Sequence, residues 1–469
     1  MKVKDKMLEA DYLIVGSGAV GMAFADTILT ETDASIIIVD KLHKPGGHWN
    51  LAYPFVRLHQ PSAFYGVNSL ELSNGLKDKV GLNEGLFDLA SGEEVCAYFN
   101  DAMQHKFLPS GRVQYFPLCE YLGSGKFTSA LTGDSFEVKV NKKIVDATYL
   151  KTIIPSRHTP SFKVDPEVQF VPINNIPNIN KKPSGFVVIG GGKTGIDACL
   201  WLLERHVDPE DITWIVPRDS WLLDRKNIQP SEEFFEYFLT DQAAQFEALV
   251  QAESIADLFD RLEMKGSLLR IDKTIRPTMY RCATVSQQEL EQLRRIQKVI
   301  RMGRVKRIEK NQIILEKGTI TTSPNHIHID CSANGLSYSG TKPVFSDNLI
   351  TPQTVRACQP TFSAAFIAHV EATLEDENTK NEICTVIPLP NHDTDWIKMM
   401  AVRLKNQYTW NNDSSIVNWL HNSRMEGGFA KRMATISDGN EKRQALIEGI
   451  KNNVKPTIMK LQQFMSELK

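Results

Sequence analysis

"GFVVIGGGKTGIDACLWLLE", residues 185–204, carries a glycine-rich loop between an apolar run and a helical one. Gly192-Lys193-Thr194 has the form of the end of a triphosphate-binding loop, which also needs a glycine five positions before Gly192. That position is Val187, inside an apolar run that reads as a strand. What remains is Gly190-x-Gly192-x-x-Gly195, placed where a strand turns into a helix.

The same pattern occurs earlier in the chain. "DYLIVGSGAVGMAFADTIL", residues 11–29, carries Gly16, Gly18 and Gly21, and "ASIIIVDK" follows. Each copy reads strand, tight glycine turn, helix, strand. The first glycine permits the turn, the second lets the backbone approach a pyrophosphate, and the third lets the helix pack close to the strand. The helix N-terminus then offers unpaired N–H groups and the positive end of its dipole. One such motif is a weak signal, but two in the right context predict two dinucleotide sites.

The copies differ at the end of their second strand. In the first, Asp40 stands 19 residues after Gly21 and suits the 2′-hydroxyl of an unphosphorylated ribose, as in FAD, with Ala19 and Lys41 beside it. In the second, "ITWIV" runs into Pro217-Arg218-Asp219. A guanidinium there can pair with a 2′-phosphate, so Arg218 predicts NADP. Lys193 and Thr194, at the helix start, are expected on the pyrophosphate, although Thr194 could equally be a helix cap. Ile212, Trp214 and Val216 alternate as core positions.

These residues resemble the two-dinucleotide-binding-domain flavoproteins, and among them the flavin-containing monooxygenase-like FAD/NAD(P)-binding oxidoreductases. The glycine motifs lie 174 residues apart, and Gly46-Gly47-His48-Trp49 looks like the Gly-Gly-x-Trp of that group. "YPFVRLHQPSAFYG" follows, and "IDCSANG" at 329–335 sits where the group carries an Ala-Thr-Gly turn, with Asn334 in place of the Thr. "IVDATYL" at 144–150 reads as a degenerate earlier version. The Phe-x-Gly-x-x-x-His fingerprint of the oxygenating members is absent before the second glycine motif.

The resemblance implies an α/β chain with two Rossmann-like dinucleotide-binding domains and a helical insertion. The FAD domain is expected to be discontinuous, residues 1–180 plus 331–469, with the NADP domain, 181–330, inserted between. "HIHIDCSANG" is expected to complete the sheet begun by "DYLIVG", and the strands of 299–321 to extend the second sheet. Gly47, His48 and Trp49 are expected to line the flavin. Arg57, His59 and Gln60 are the candidate catalytic groups, and Arg356 and Gln359 candidates for closing over the flavin. The implied activity is an FAD-dependent oxidoreductase using NADPH, monooxygenating a small molecule through a flavin C4a-hydroperoxide. An NADPH:acceptor oxidoreductase without oxygenation and a cofactor-binding regulatory flavoprotein stay open.

Composition bounds the rest. A net charge of −2 predicts no nucleic-acid or membrane partner, and a homo-oligomer stays open. No Cys-x-x-Cys occurs among the seven cysteines, so neither a disulfide nor a metal is expected, and buried thiols in a reducing cytoplasm are. Ser254-x-x-Asp257 and Ser286-x-x-Glu289 predict helix starts within the insertion, and Pro456 predicts a break in the C-terminal helices.

Overall fold

The computed structural model describes residues 6–335, 340–434 and 440–468. Both glycine motifs open a parallel sheet. In the first unit the strands are β1 (Lys6–Val15), β2 (Ile36–Val39), β3 (Val113–Phe116), β4 (Cys119–Gly123), β5 (Lys126–Ser129) and β6 (Ser135–Asp146). Helix α1 (Ala19–Glu31) connects β1 to β2, and α2 (Gly92–Ala102) precedes β3. The parallel order is β6-β1-β2-β3, with the β4–β5 hairpin set antiparallel on β6. Tyr12, Leu13 and Ile14 are all buried, the continuous apolar run of a strand covered on both faces.

The second unit begins earlier than the sequence suggests. Strands β7 (Lys163–Val164) and β8 (Phe170–Pro172) lie before residue 181, yet they pair with strands of that unit. Next come β9 (Gly185–Ile189), α3 (Lys193–Glu204), β10 (Ile212–Ile215) and β11 (Ser220–Asp224). The insertion supplies α4 (Phe235–Gln251), α5 (Ile255–Met264), β12 (Met279–Val285) and α6 (Gln287–Leu293). Ser254 caps α5, and Ser286 with Glu289 forms a full capping box on α6. β13 (Lys298–Ile300), β14 (Val305–Ile308), β15 (Gln312–Leu315), β16 (Gly318–Thr321) and β17 (His326–Asp330) complete the unit.

Two expectations fail here. The sheet order is β13-β10-β9-β17-β8, so "HIHID" completes the second sheet and not the first. The reason lies in the glycine turns. Cys331 N–H donates to Ile189 O and its carbonyl abuts Gly190, whereas the place beside Gly16 is taken by Ala147 and Thr148, at the end of β6. Of the 299–321 strands only β13 extends that sheet; β14, β15 and β16 form a separate one with β7.

The chain then returns to the first sheet through β18 (Phe345–Ser346) and β19 (Leu349–Ile350), the latter parallel to β6. α7 (Pro360–Thr373) is buried nearly throughout and packs on α1. α8 (Glu377–Ile383), α9 (Asp395–Asn411), α10 (Ser414–Asn422), α11 (Phe429–Ala434) and α12 (Glu441–Glu467) follow. α12 runs through Pro456 unbroken. An interior proline costs about 3 kcal/mol; α12 offsets this by packing on α4 and α9, with Leu461 and Phe464 in a core shared with Trp221, Phe259 and Trp396. No helix among the described residues is long and apolar enough to cross a membrane.

The cysteine expectation is also corrected. Cys282, in β12, is bonded to Cys358, just before α7, across 76 residues of sequence. No local spacing could signal such a pair. Cys96, Cys119, Cys199, Cys331 and Cys384 are free and buried, and no group of metal-ligating side chains occurs among the described residues.

Candidate dinucleotide sites and the segment between them

The two glycine turns are built alike. Gly16 (φ +101°) and Gly190 (φ +134°) hold the left-handed backbone that favours glycine. A Cβ on Gly21 would lie 2.0 Å from Gly16 O, and one on Gly195 2.0 Å from Gly190 O, so only glycine lets each helix approach its strand. α1 and α3 are capped by Gly18 and Gly192 with no side-chain hydrogen bond, which leaves their first N–H groups for an anion. A Cβ on Gly192 would meet nothing within 4 Å: the space a pyrophosphate needs is open. Thr194 is therefore not the cap of α3.

Asp40, buried after β2, fits a ribose. Its carboxylate accepts from Ser17 N–H (2.6 Å), Ser17 Oγ (2.8 Å) and Leu42 N–H (2.7 Å). A carboxylate has about four acceptor positions, so one stays for a hydroxyl. Ala19 opens α1 and Lys41 is exposed beside Asp40. Gly46 N–H donates to Ser17 O (2.9 Å), which draws the Gly46–Trp49 turn onto the first glycine loop. His48 stacks on Trp49 at 5.2 Å, and Trp49 Nε1–H donates to Tyr65 Oη at 2.7 Å. Burial lowers the His48 pKa to about 4, so its ring is neutral.

From Trp49 the chain crosses to the second unit. Tyr53 Oη donates to Asp197 Oδ2 on α3 at 2.5 Å, and Phe55 stacks on Trp201 at 5.1 Å. Asp197 also pairs with Lys193, one turn back. The Lys193 ammonium is thus held by a carboxylate rather than presented alone to the loop. His59 lies where the segment meets β12: its Nδ1 accepts from Thr284 N–H at 3.3 Å. Burial first, then the cations Lys193 and Arg225, lowers its pKa to about 3. The fully buried Arg225 fixes it by donating to His59 O (3.0 Å), while pairing with Glu289 at 2.7 Å.

The other candidates separate. Gln60 is half-buried next to His59. Arg57 is exposed and faces Asp78 at 4.0 Å, and a strand-like bridge pairs its backbone with Ser91. Arg356 is spent on packing: its guanidinium lies 3.7 Å from the centre of the Phe362 ring and 3.8 Å from Glu426. Gln359 is the first flanking residue of α7.

Around Arg218 the structure adds what sequence could not show. Arg218 Nη2 donates to Asn391 Oδ1 at 2.9 Å, and Arg281 Nη2 donates to the same oxygen at 2.6 Å. Arg281 Nη1 reaches Asn334 Oδ1, in the turn after β17, at 3.5 Å. Burial, then neighbouring guanidiniums, lowers the pKa of both: Arg304 acts on Arg218, and Arg218 with Arg304 acts on Arg281. Among the described residues none of these three has a carboxylate partner within 4.0 Å. Arg281 sits in the insertion, 63 residues from Arg218, so only the fold unites them.

No family model matches the chain. The polycyclic ketone monooxygenase of Thermothelomyces thermophila is similar in structure, at TM-score 0.50 and 12% identity, over 97% of this chain and 89% of that one. The NADP+-bound cyclohexanone monooxygenase of Rhodococcus sp. Phi1 scores 0.47 at 11% identity, over 97% and 99%. The fold is that of the two-dinucleotide-binding flavoproteins. In sequence the chain is 51% identical, over 420 residues, to the uncharacterized proteins Rv2000 of Mycobacterium tuberculosis and Mb2023 of Mycobacterium bovis, covering 90% of this chain and 78% of each of them. The chain belongs to the family of these mycobacterial proteins.

Proposed function

We propose that this chain is an FAD-dependent oxidoreductase that takes its electrons from NADPH and acts on a small molecule. The observation that carries this reading is the pair of matched glycine turns, one followed by Asp40 and the other by Arg218 with Arg281. Gly16, Gly18, Ala19 and Gly21 would hold the FAD pyrophosphate and Asp40 its ribose, with Gly47, His48 and Trp49 along the flavin. Gly190, Gly192, Thr194 and Gly195 would hold the NADP pyrophosphate, and the arginines its 2′-phosphate. When bound, the two groups supply hydride transfer.

The chain's own contribution is orientation and desolvation. Tyr53, Asp197 and Phe55 fasten the segment that leaves the first site to the helix of the second. His48 and His59, both neutral at pH 7, can accept or donate one hydrogen bond without adding a charge beside the reacting groups. His59 replaces the trio Arg57, His59 and Gln60 as the candidate to contact the reacting groups, with Gln60 beside it.

Oxygen transfer is the second reading, favoured by the desolvation that lowers the pKa of His48 to about 4 and of His59 to about 3, since oxygenation requires a site poor in water. The reduced protein should be mixed with oxygen and its absorbance followed. A delayed return through a distinct spectrum supports oxygen transfer, and a single-phase return supports acceptor reduction alone. A folded protein that cannot be loaded with FAD would overturn both.

A further inference from the structure

The Cys282–Cys358 bond lies where the two units meet, and its surroundings are functional on both sides. β12 is irregular at Cys282: the register against β11 shifts between Trp221 and Leu223, opposite Tyr280 and Thr284. Cys282 has φ +56° and Cys358 φ +60°, so both leave regular structure at the bond. Such a bulge re-aims side chains. On one flank of Cys282, Arg281 shares Asn391 with Arg218 at the second dinucleotide site. On the other, Thr284 N–H donates to the His59 ring. Cys358 lies two residues before α7, the helix that packs on α1 of the first dinucleotide site. Thr361, in the first turn of α7, donates to Phe64 O, so the segment that carries His59 also reaches this end of α7.

We propose that Cys282 and Cys358 are a redox-active pair, a two-electron store between the two dinucleotide sites. The inference rests on the reading of the chain as an NADPH-dependent flavoprotein. The net step is balanced: the S–S bond breaks, NADPH gives up a hydride and becomes NADP+, and solvent supplies one proton. Both sulfurs end as thiols. A passive staple would close a long loop in the unfolded chain and needs no particular neighbours. This bond instead joins the bulge that carries Arg281 and Thr284 to the turn that opens α7. Cys358 is half-buried rather than sealed, whereas the five free cysteines are all buried. Burial raises the thiol pKa of each of those five, which keeps them unreactive.

The test uses the full chain, loaded with FAD, air-oxidised and then held under nitrogen with excess NADPH. Samples are quenched in acid, alkylated unfolded without reductant, and read by mass spectrometry. Before NADPH, five of the seven cysteines should be alkylated; afterwards all seven should be. In Cys358→Ser the uptake of reducing equivalents should fall by one hydride per chain. Bleaching of the flavin with Cys282 and Cys358 still bonded would overturn this inference alone, leaving the bond a staple. Finding both as thiols in the air-oxidised protein would overturn it too. A flavin that NADPH does not bleach would overturn the functional reading and this one with it.

Discussion

Tyr53 and Asp197 are joined at 2.5 Å across 144 residues of sequence, and the bond ties the segment leaving the first glycine loop to the helix of the second. Asp197 meanwhile holds Lys193. Tyr53→Phe removes the hydroxyl alone. A hydrogen bond to a charged group contributes about 1.5–3 kcal/mol, so denaturant unfolding should show a loss of that size. NADP+ binding should weaken as the freed segment relaxes. Unchanged stability would mean that the tie is not formed in solution.

The middle and last glycines of the second turn should behave oppositely. Gly192→Ala meets open space at an ordinary φ of −86°, so its stability should stay within about 0.5 kcal/mol of the parent while NADP+ binding falls. Gly195→Ala forces a Cβ onto Gly190 O and should cost about 1–3 kcal/mol or more. Thermal unfolding and NADP+ titration of the two variants separate these effects. A Gly192→Ala protein with full NADP+ affinity would remove the pyrophosphate from this loop.

Arg218 and Arg281 should act together. Arg218→Ala and Arg281→Ala should each weaken the binding of 2′,5′-ADP about tenfold or more, from the 1.5–3 kcal/mol of a charged hydrogen bond, and leave 5′-AMP unchanged. Equal losses for both probes would make the arginines structural.

The strands flanking each glycine turn, the capped helix starts and the glycine turns themselves were legible in the sequence, because local chemistry dictates them. A strand's partner is not local. "IVDATYL" and "IDCSANG" look alike as sequence, and which lies beside Gly16 depends on strand order, so the stronger-looking motif was assigned to the wrong sheet. Arg57 and His59 are two residues apart and both polar; only Asp78, Thr284 and Arg225 show that Arg57 is exposed while the His59 ring is held against β12. Cys282, Cys358, Arg281 and Asn391 carry no spacing signal at all.

His59 makes stability depend on acid. Its pKa falls from 6.5 in the unfolded chain to about 3 in the fold, so the unfolded state binds the extra proton between those values. Stability should therefore be lost as pH falls from 6.5 toward 3, and His48, at about 4, adds to the loss. His59→Asn should flatten the dependence of unfolding free energy on pH in that window by up to one proton's worth. An unaltered slope would place His59 in solvent.

If the first site takes FAD and the second NADPH, the coenzyme should reduce the flavin directly. Purified protein loaded with FAD should be mixed anaerobically with NADPH or NADH in a stopped-flow instrument and the visible flavin band followed. The protein should be yellow, and NADPH should bleach it at lower concentration than NADH, by about tenfold or more on the arginine contribution. Folded protein that retains no FAD, or a bound flavin that neither coenzyme bleaches, would contradict it.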